Sequence, residues 1–113
     1  MTEINFNNKT FSLVVNSENG QVNKETIFNY QQDGKLVTAD YYGGSILYGK
    51  IIAILKDRQL DMRYQCLTKQ HELKAGKAIA EIEFTEQKKI RLKLTWEWLG
   101  EQAQKGYSEY IEN

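Results

Sequence analysis

The stretch Ile90-Arg91-Leu92-Lys93-Leu94-Thr95-Trp96-Glu97-Trp98 alternates apolar and polar residues at every position. Successive side chains of a β-strand point to opposite faces, so this pattern predicts a strand with one buried and one solvated face. The predicted buried face carries Ile90, Leu92, Leu94, Trp96 and Trp98. A helix would need apolar residues at intervals of three and four, which this stretch does not have.

Seven further segments around this strand also have strand composition and are separated by short turns. They are residues 11–15, 26–32, 36–42, 46–55, 59–67, 72–84 and 106–111. Asn19-Gly20 and Asp33-Gly34 are dipeptides typical of tight hairpin turns. Connections this short join only antiparallel neighbours. Because an open sheet of eight strands would expose two edges, we predict an all-β fold, an eight-stranded antiparallel up-and-down barrel.

Two segments depart from simple alternation. In residues 72–84 the apolar parity changes near Gly76-Lys77, with Leu73 and Ala75 on one side of the change and Ala78 to Phe84 on the other. We therefore predict a β-bulge there, with Ala75 and Ala78 both facing inward.

Residues 46–55 are apolar on both parities, so something must cover the outer face of this strand. One option is a second copy of the chain, which would contact Leu47, Ile51 and Ala53. The other is the N-terminal segment that contains Ile4 and Phe6.

The bulk properties limit the classes of function. The 113 residues fit one domain, residues 1–113, and the net charge is zero, which argues against a general nucleic-acid-binding protein. The single cysteine cannot form an internal disulfide, and no apolar run approaches the length of a membrane span. With no secretory signal pattern at the N-terminus, we expect a cytoplasmic protein that binds neither nucleic acid nor membrane.

No set of residues forms a convincing catalytic or metal site, so we predict no catalytic residues, no metal and no cofactor. His71, the single histidine, falls in a polar turn without a partnered nucleophile. Asp61 and Arg63 share a strand face opposite the apolar one, where they could bind a polar ligand or form ion pairs, for instance with Arg91 and Glu97.

Aromatic residues on the predicted inner face are the best candidates for a ligand site. Tyr41, Tyr64, Trp96 and Trp98 all face inward and lie towards the ends of strands that run the same way. Such rings fill a core or form the walls of a cavity. The hypothesis is a cup with these four residues at one end and with aliphatic residues such as Val37, Leu60 and Ile90 closing the other. Cys66 would be a small buried residue on the same face.

Several motifs along the chain resemble those of a small bacterial family of β-barrel proteins. The motifs are Tyr41-x-Gly43-Gly44-Ser45-Ile46, Leu60-Asp61-Met62-Arg63-Tyr64, Glu72-Leu73-x-x-Gly76, Arg91-Leu92 and Trp96-x-Trp98. Members look like calycin-type barrels, the broad group that includes avidins and lipocalins. Where that family often has His after the Leu-Asp-Met-Arg-Tyr run, this chain has Gln65. Some members are named N-acetylglutamate synthase.

Three functions remain open at this point. The first is a non-catalytic barrel that binds a small, partly apolar molecule in its interior. The second is a homo-oligomeric structural or accessory protein with a solid core. The third and least favoured is an acetyltransferase-type enzyme, as the name N-acetylglutamate synthase would imply. Acyl-coenzyme A transferases hold the pyrophosphate at a helix N-terminus, and no such helix is predicted here.

Overall fold

The computed structural model describes residues 4–16, 23–100 and 104–113, and the predicted Asn19-Gly20 turn lies outside them. Eight strands account for most of the described chain. They are β1 (Lys9–Asn16), β2 (Ile27–Asp33), β3 (Leu36–Gly43), β4 (Ile46–Lys56), β5 (Gln59–Thr68), β6 (Leu73–Phe84), β7 (Ile90–Trp98) and β8 (Lys105–Glu112). Among the described residues, no helix is long and apolar enough to cross a membrane.

The strands form a closed antiparallel barrel in sequential order, in which β8 pairs back onto β1. This confirms the predicted architecture. The turn between β2 and β3 also has the predicted conformation, because Gly34 has a φ of 60° in a two-residue turn. Among the eight described strands, closure leaves no edge unpaired, and their inward side chains form one core.

The barrel has two different ends. The turns at residues 34–35, 57–58 and 86–87 mark the closed end, and those at residues 44–45 and 69–70 mark the open end. Val37, Leu60 and Ile90 are fully buried towards the closed end, as predicted. The expectation of an aliphatic closure was nevertheless wrong, because three aromatic rings pack there too.

Those three rings belong to Phe6, Phe11 and Tyr30, whose centroids lie 4.9 to 5.8 Å apart. Phe6 reaches this position because the segment of residues 4–8, which precedes β1, crosses the end of the barrel. Its backbone N–H donates a hydrogen bond of 2.9 Å to Oε1 of Gln32. The segment therefore closes the barrel rather than covering the outside of β4.

The predicted β-bulge at Gly76 does not exist. β6 pairs without interruption with β5 from Leu73 to Glu81 and with β7 from Gly76 to Phe84. Leu73 is 82% exposed and Ala75 shares its outward parity, whereas Gly76 and Ala78 face inward. The apolar pattern was misleading because the inward position between Lys74 and Ala78 is a glycine, which gives no apolar signal. The ring of Tyr64 from β5 fills the space beside it.

A register irregularity occurs instead in β4, between Ile46 and Tyr48. It places Ile51 and Ala53 in the core and Ile52 and Ile54 on the surface. Of the three residues predicted to form an outer interface, only Leu47 is therefore exposed. The extra residue shifts the parity of everything that follows it, an effect that alternation along one strand cannot reveal.

Candidate functional site

All four sequence-predicted aromatic residues lie around one cavity at the open end of the barrel. Tyr41 comes from β3, Tyr64 from β5, and Trp96 and Trp98 from β7. The cavity has a volume of about 50 Å³ and opens partly to the outside. Its full lining is Asn16, Phe28, Tyr41, Ile46, Ile51, Tyr64, Cys66, Leu94, Trp96, Trp98, Ser108 and Tyr110.

Two glycines provide the space in which the tyrosine rings lie. Tyr41 is directly opposite Gly49 on the neighbouring strand, and Tyr64 is directly opposite Gly76. A Cβ atom built on Gly49 would overlap the ring of Tyr41, and one built on Gly76 would overlap the ring of Tyr64. Each ring thus rests against its neighbouring strand, as when an aromatic side chain covers a strand glycine. This arrangement keeps both rings close to the barrel wall and leaves the interior between them open.

The rings around the cavity form two contacting groups. On one side, Trp98 makes edge-to-face contacts with Tyr64 and Trp96, at centroid distances of 5.6 and 5.8 Å. On the other side, Phe28 stacks on Tyr41 at 4.7 Å and meets Tyr110 edge to face at 4.9 Å. Because every ring is held by at least one other, the wall is largely preorganised.

A short chain of hydrogen bonds runs along the cavity lining from β7 to β8 and β1. Trp96 Nε1 donates to Oγ of Ser108 at 2.8 Å, and Ser108 Oγ donates to Oδ1 of Asn16 at 2.6 Å. Ser108 is only 1% exposed, whereas Asn16, the last residue of β1, is partly exposed, so the chain leads from the buried interior towards the open end. Buried polar groups bonded in this way fix the orientation of their neighbours.

Sequence reasoning did not single out Asn16, Ser108, Phe28 or Tyr110. Ser108 and Tyr110 alternate with outward residues on β8, so their parity was a usable signal. Asn16 gave no such signal, because a register irregularity between Leu13 and Val15 precedes it. Phe28 alternates with less buried residues on β2, so its parity was also usable, whereas its position beside Tyr41 follows only from the strand pairing.

The titratable groups of the cavity are held in their neutral forms. Burial raises the pKa of the hydroxyls of Tyr41, Tyr64 and Tyr110 well above the ordinary value. Burial also raises the pKa of the Cys66 thiol, against smaller opposing effects of the Tyr41 hydroxyl and the Lys74 charge. At neutral pH these lining residues therefore offer neutral hydrogen-bonding groups and no thiolate nucleophile.

The other candidate residues lie away from the cavity. His71 is exposed in the turn between β5 and β6, with a φ of 63°. Arg63 Nη1 lies 2.7 Å from Oδ1 of Asp61 on the outer face, so these two residues pair with each other. Arg91 pairs with Glu109 rather than with Asp61. Within the described parts of the chain, no cluster of His, Cys, Asp and Glu could hold a metal ion.

Comparison with known proteins gives one match. The family model described as "Avidin-like protein" matches residues 4–113, nearly the whole chain. No curated protein and no solved structure matches.

Proposed function

The chain belongs to the avidin-like protein family, and on that basis we propose that it binds a small, partly apolar molecule in the cavity at the open end without transforming it. Eight-stranded barrels of this size are wide enough to hold one small ligand. The observation that carries the proposal is the convergence of Tyr41, Tyr64, Trp96 and Trp98 on one cavity.

The Tyr–Gly pairs support a binding site over a filled core. In a core selected for stability alone, the positions of Gly49 and Gly76 would carry side chains and the tyrosines would point to the middle of the barrel. Both glycines instead allow a ring to lie along the wall, which preserves the interior space. Strand glycines weaken a sheet, and here the tyrosine ring that covers each glycine offsets part of that cost.

The lining indicates the chemistry of the molecule. The walls are mainly aromatic, which favours a flat apolar body. The cavity of about 50 Å³ has room for only a few waters, since one water needs roughly 10–15 Å³. A flat apolar ligand would therefore place part of its body in this space and extend through the open mouth. The hydroxyl of Ser108 and the side chain of Asn16 supply polar atoms to its lining. The neutral state of the tyrosines and of Cys66 fits binding rather than acid–base or nucleophilic chemistry.

Thermal melts against a panel of small metabolites test this proposal, together with titrations that follow tryptophan fluorescence. Both tryptophans of the chain line the cavity, so the fluorescence reports on this site alone. A ligand that binds only the folded state must raise the melting temperature. We expect at least one compound to raise the melting temperature and to change the fluorescence with the same saturation curve.

A matched pair of variants locates the site. Tyr64→Leu removes a ring from the cavity wall, and Tyr48→Leu makes the same change on the outer face of β4. For the compound identified by the panel, we expect Tyr64→Leu to weaken binding about tenfold, as loss of a buried aromatic contact does, and Tyr48→Leu to leave it within about twofold. Equal effects of the two variants, or no active compound in the panel, would refute the proposal.

A second function, a homo-oligomer, is favoured by a separate observation. Leu36 of β3 is directly opposite Ile54 of β4, and Ile52 lies beside them, all three largely exposed. Contiguous exposed apolar residues are typical of interaction surfaces, and zero net charge favours self-association. These residues replace Leu47, Ile51 and Ala53 as the proposed contact.

Light scattering at micromolar concentration tests the oligomer. We expect the unaltered chain to form a dimer or a higher oligomer. Ile52→Glu should convert it to a monomer, and Thr95→Glu, on the outer face of β7, should leave the oligomeric state unchanged. A monomer for the unaltered chain would remove this function and leave the ligand-binding proposal intact.

A further inference from the structure

Lys74 is a charged residue that faces the interior of the barrel at its open end. It is the cross-strand partner of Cys66, and paired residues point to the same side of a sheet. Cys66 is buried among the cavity residues, and Gly76, two positions after Lys74, also faces inward. Alternation along β6 therefore places the Lys74 side chain at the rim of the cavity.

The position of the Lys74 ammonium agrees with this register. Its Nζ atom lies 5.4 Å from the ring centroid of Trp98, the tryptophan nearest to the open end. This is a cation–π distance, and it holds the charge beside a ring that also contacts Tyr64 and Trp96. The charge also acts on Cys66, where it opposes the rise in the thiol's pKa that burial causes.

Three lysines on the outer face of the barrel are arranged differently. Lys50 pairs with Asp40, Lys77 with Glu97, and Lys93 with Glu83. Among residues 4–16, 23–100 and 104–113, no carboxylate forms an ion pair with Lys74. Its neighbours on the inner face are the Cys66 thiol and the Trp98 ring, neither of which carries a charge at physiological pH.

We propose that Lys74 makes the cavity selective for organic anions, with the apolar body of the ligand between the aromatic walls and its anionic group on the Lys74 ammonium. This inference rests on the proposed binding function and names the class of ligand. A lysine ammonium offers three donors and a compact charge, which suits a carboxylate or a similar group. A cationic ligand of the same shape would be repelled from the same rim.

Matched acid and amide probes test this selectivity. The pairs are benzoate with benzamide, phenylacetate with phenylacetamide, and 3-phenylpropionate with 3-phenylpropionamide. Each pair has nearly the same shape and differs in charge. Binding is measured by tryptophan fluorescence and, independently, by the shift of the melting temperature. For the pair that fits best, we expect the acid to bind about tenfold more tightly than the amide, as charge-assisted hydrogen bonds do relative to neutral ones.

Three variants assign the preference to Lys74. Lys74→Met should lower the affinity for the acid to that for the amide, and it should change the affinity for the amide by less than about twofold. Lys74→Arg keeps the charge and should keep the preference. Lys77→Met removes the same charge from the outer face of the same strand and should also keep it. In the unaltered chain, added salt should weaken binding of the acid but not binding of the amide.

The possible failures are distinguishable. If acid and amide bind equally to the unaltered chain, or if the preference survives Lys74→Met, the role of Lys74 is wrong while the cavity remains a binding site. If no member of any pair changes the fluorescence or the melting temperature, both this inference and the proposed binding of a flat apolar body are wrong.

Discussion

The two ends of the barrel use aromatic residues for opposite purposes. At the closed end, Phe6, Phe11 and Tyr30 pack directly on one another and are almost fully buried. At the open end, a larger set of rings surrounds a cavity of about 50 Å³. The inward aromatic content is high at both ends, so composition alone does not distinguish a packed core from a site.

Two rings at the open end differ from Tyr30 at the closed end in the residue that lies opposite them. Tyr41 and Tyr64 face Gly49 and Gly76, so their rings can lie against the neighbouring strand. Tyr30 faces Ala39, which has a side chain, and its ring instead packs into the group with Phe6 and Phe11. A glycine across the strand pair thus converts an aromatic residue from a core filler into part of a wall.

The largest expected effect on stability comes from replacing one phenylalanine at each end of the barrel with alanine. Phe11 and Phe28 are cross-strand partners, one packed in the closed end and the other lining the cavity. We expect Phe11→Ala to lower the free energy of unfolding by about 3–5 kcal/mol, and Phe28→Ala to cost about 1 kcal/mol less because its void joins a cavity that water can enter. Urea denaturation measures both. A greater loss for Phe28→Ala would remove the proposed contrast in packing.

The next effect tests the glycine at the open end. Gly49→Ala places a methyl group where the Tyr41 ring lies, so we expect a loss of about 1–3 kcal/mol in the free energy of unfolding. The same substitution in a background that already carries Tyr41→Leu should be nearly neutral, because the clashing ring is absent. A double-mutant cycle by urea denaturation measures this coupling, and additive losses would contradict the Tyr–Gly pairing.

Alkaline pH provides a third test that spans both ends. Burial raises the pKa of Tyr30 at the closed end and of Tyr41 and Tyr110 at the open end above the ordinary value of 10.0. The unfolded chain loses these protons first, so their contribution to stability is complete below pH 10 and is lost as the pH rises further. The loss is about 1.4 kcal/mol per pH unit for each such tyrosine.

Urea midpoints above pH 10 should therefore fall steeply, and Tyr30→Phe should reduce the slope. A chain whose tyrosines all ionise near their ordinary pKa while folded, seen as tyrosinate absorbance, would contradict the assigned burial.

The smallest effect concerns a turn at the closed end. Gly34 has a φ of 60°, and no atom lies within 4 Å of the position that a Cβ would take. A substitution there therefore lowers stability only through the strained backbone conformation. Gly34→Val should lower the free energy of unfolding by about 1–2 kcal/mol, and Gly34→Asn by less, because asparagine tolerates this conformation. Comparison with Gly49→Ala then separates backbone strain from side-chain overlap. Equal urea midpoints for Gly34→Val and the unaltered chain would rule out the strained turn.

The amino-acid sequence by itself determined the number of strands, their antiparallel order and the inward direction of Trp96 and Trp98. These features are local: alternation is a property of one strand, and short turns allow only one way of joining neighbours. The inward direction of Tyr41 and Tyr64 followed in the same way, since each shares the parity of apolar residues on its own strand.

Only the tertiary structure decided which residues meet across strands. The outward direction of Ile52 and Ile54 depends on a one-residue irregularity at the start of β4, and the unbroken course of β6 depends on a tyrosine that occupies the space over Gly76. The hydrogen bond between Ser108 and Asn16 joins residues 92 positions apart, and it requires the last strand to close on the first. Register and closure are set by the packing of the whole barrel, so no pattern within a single segment could contain them.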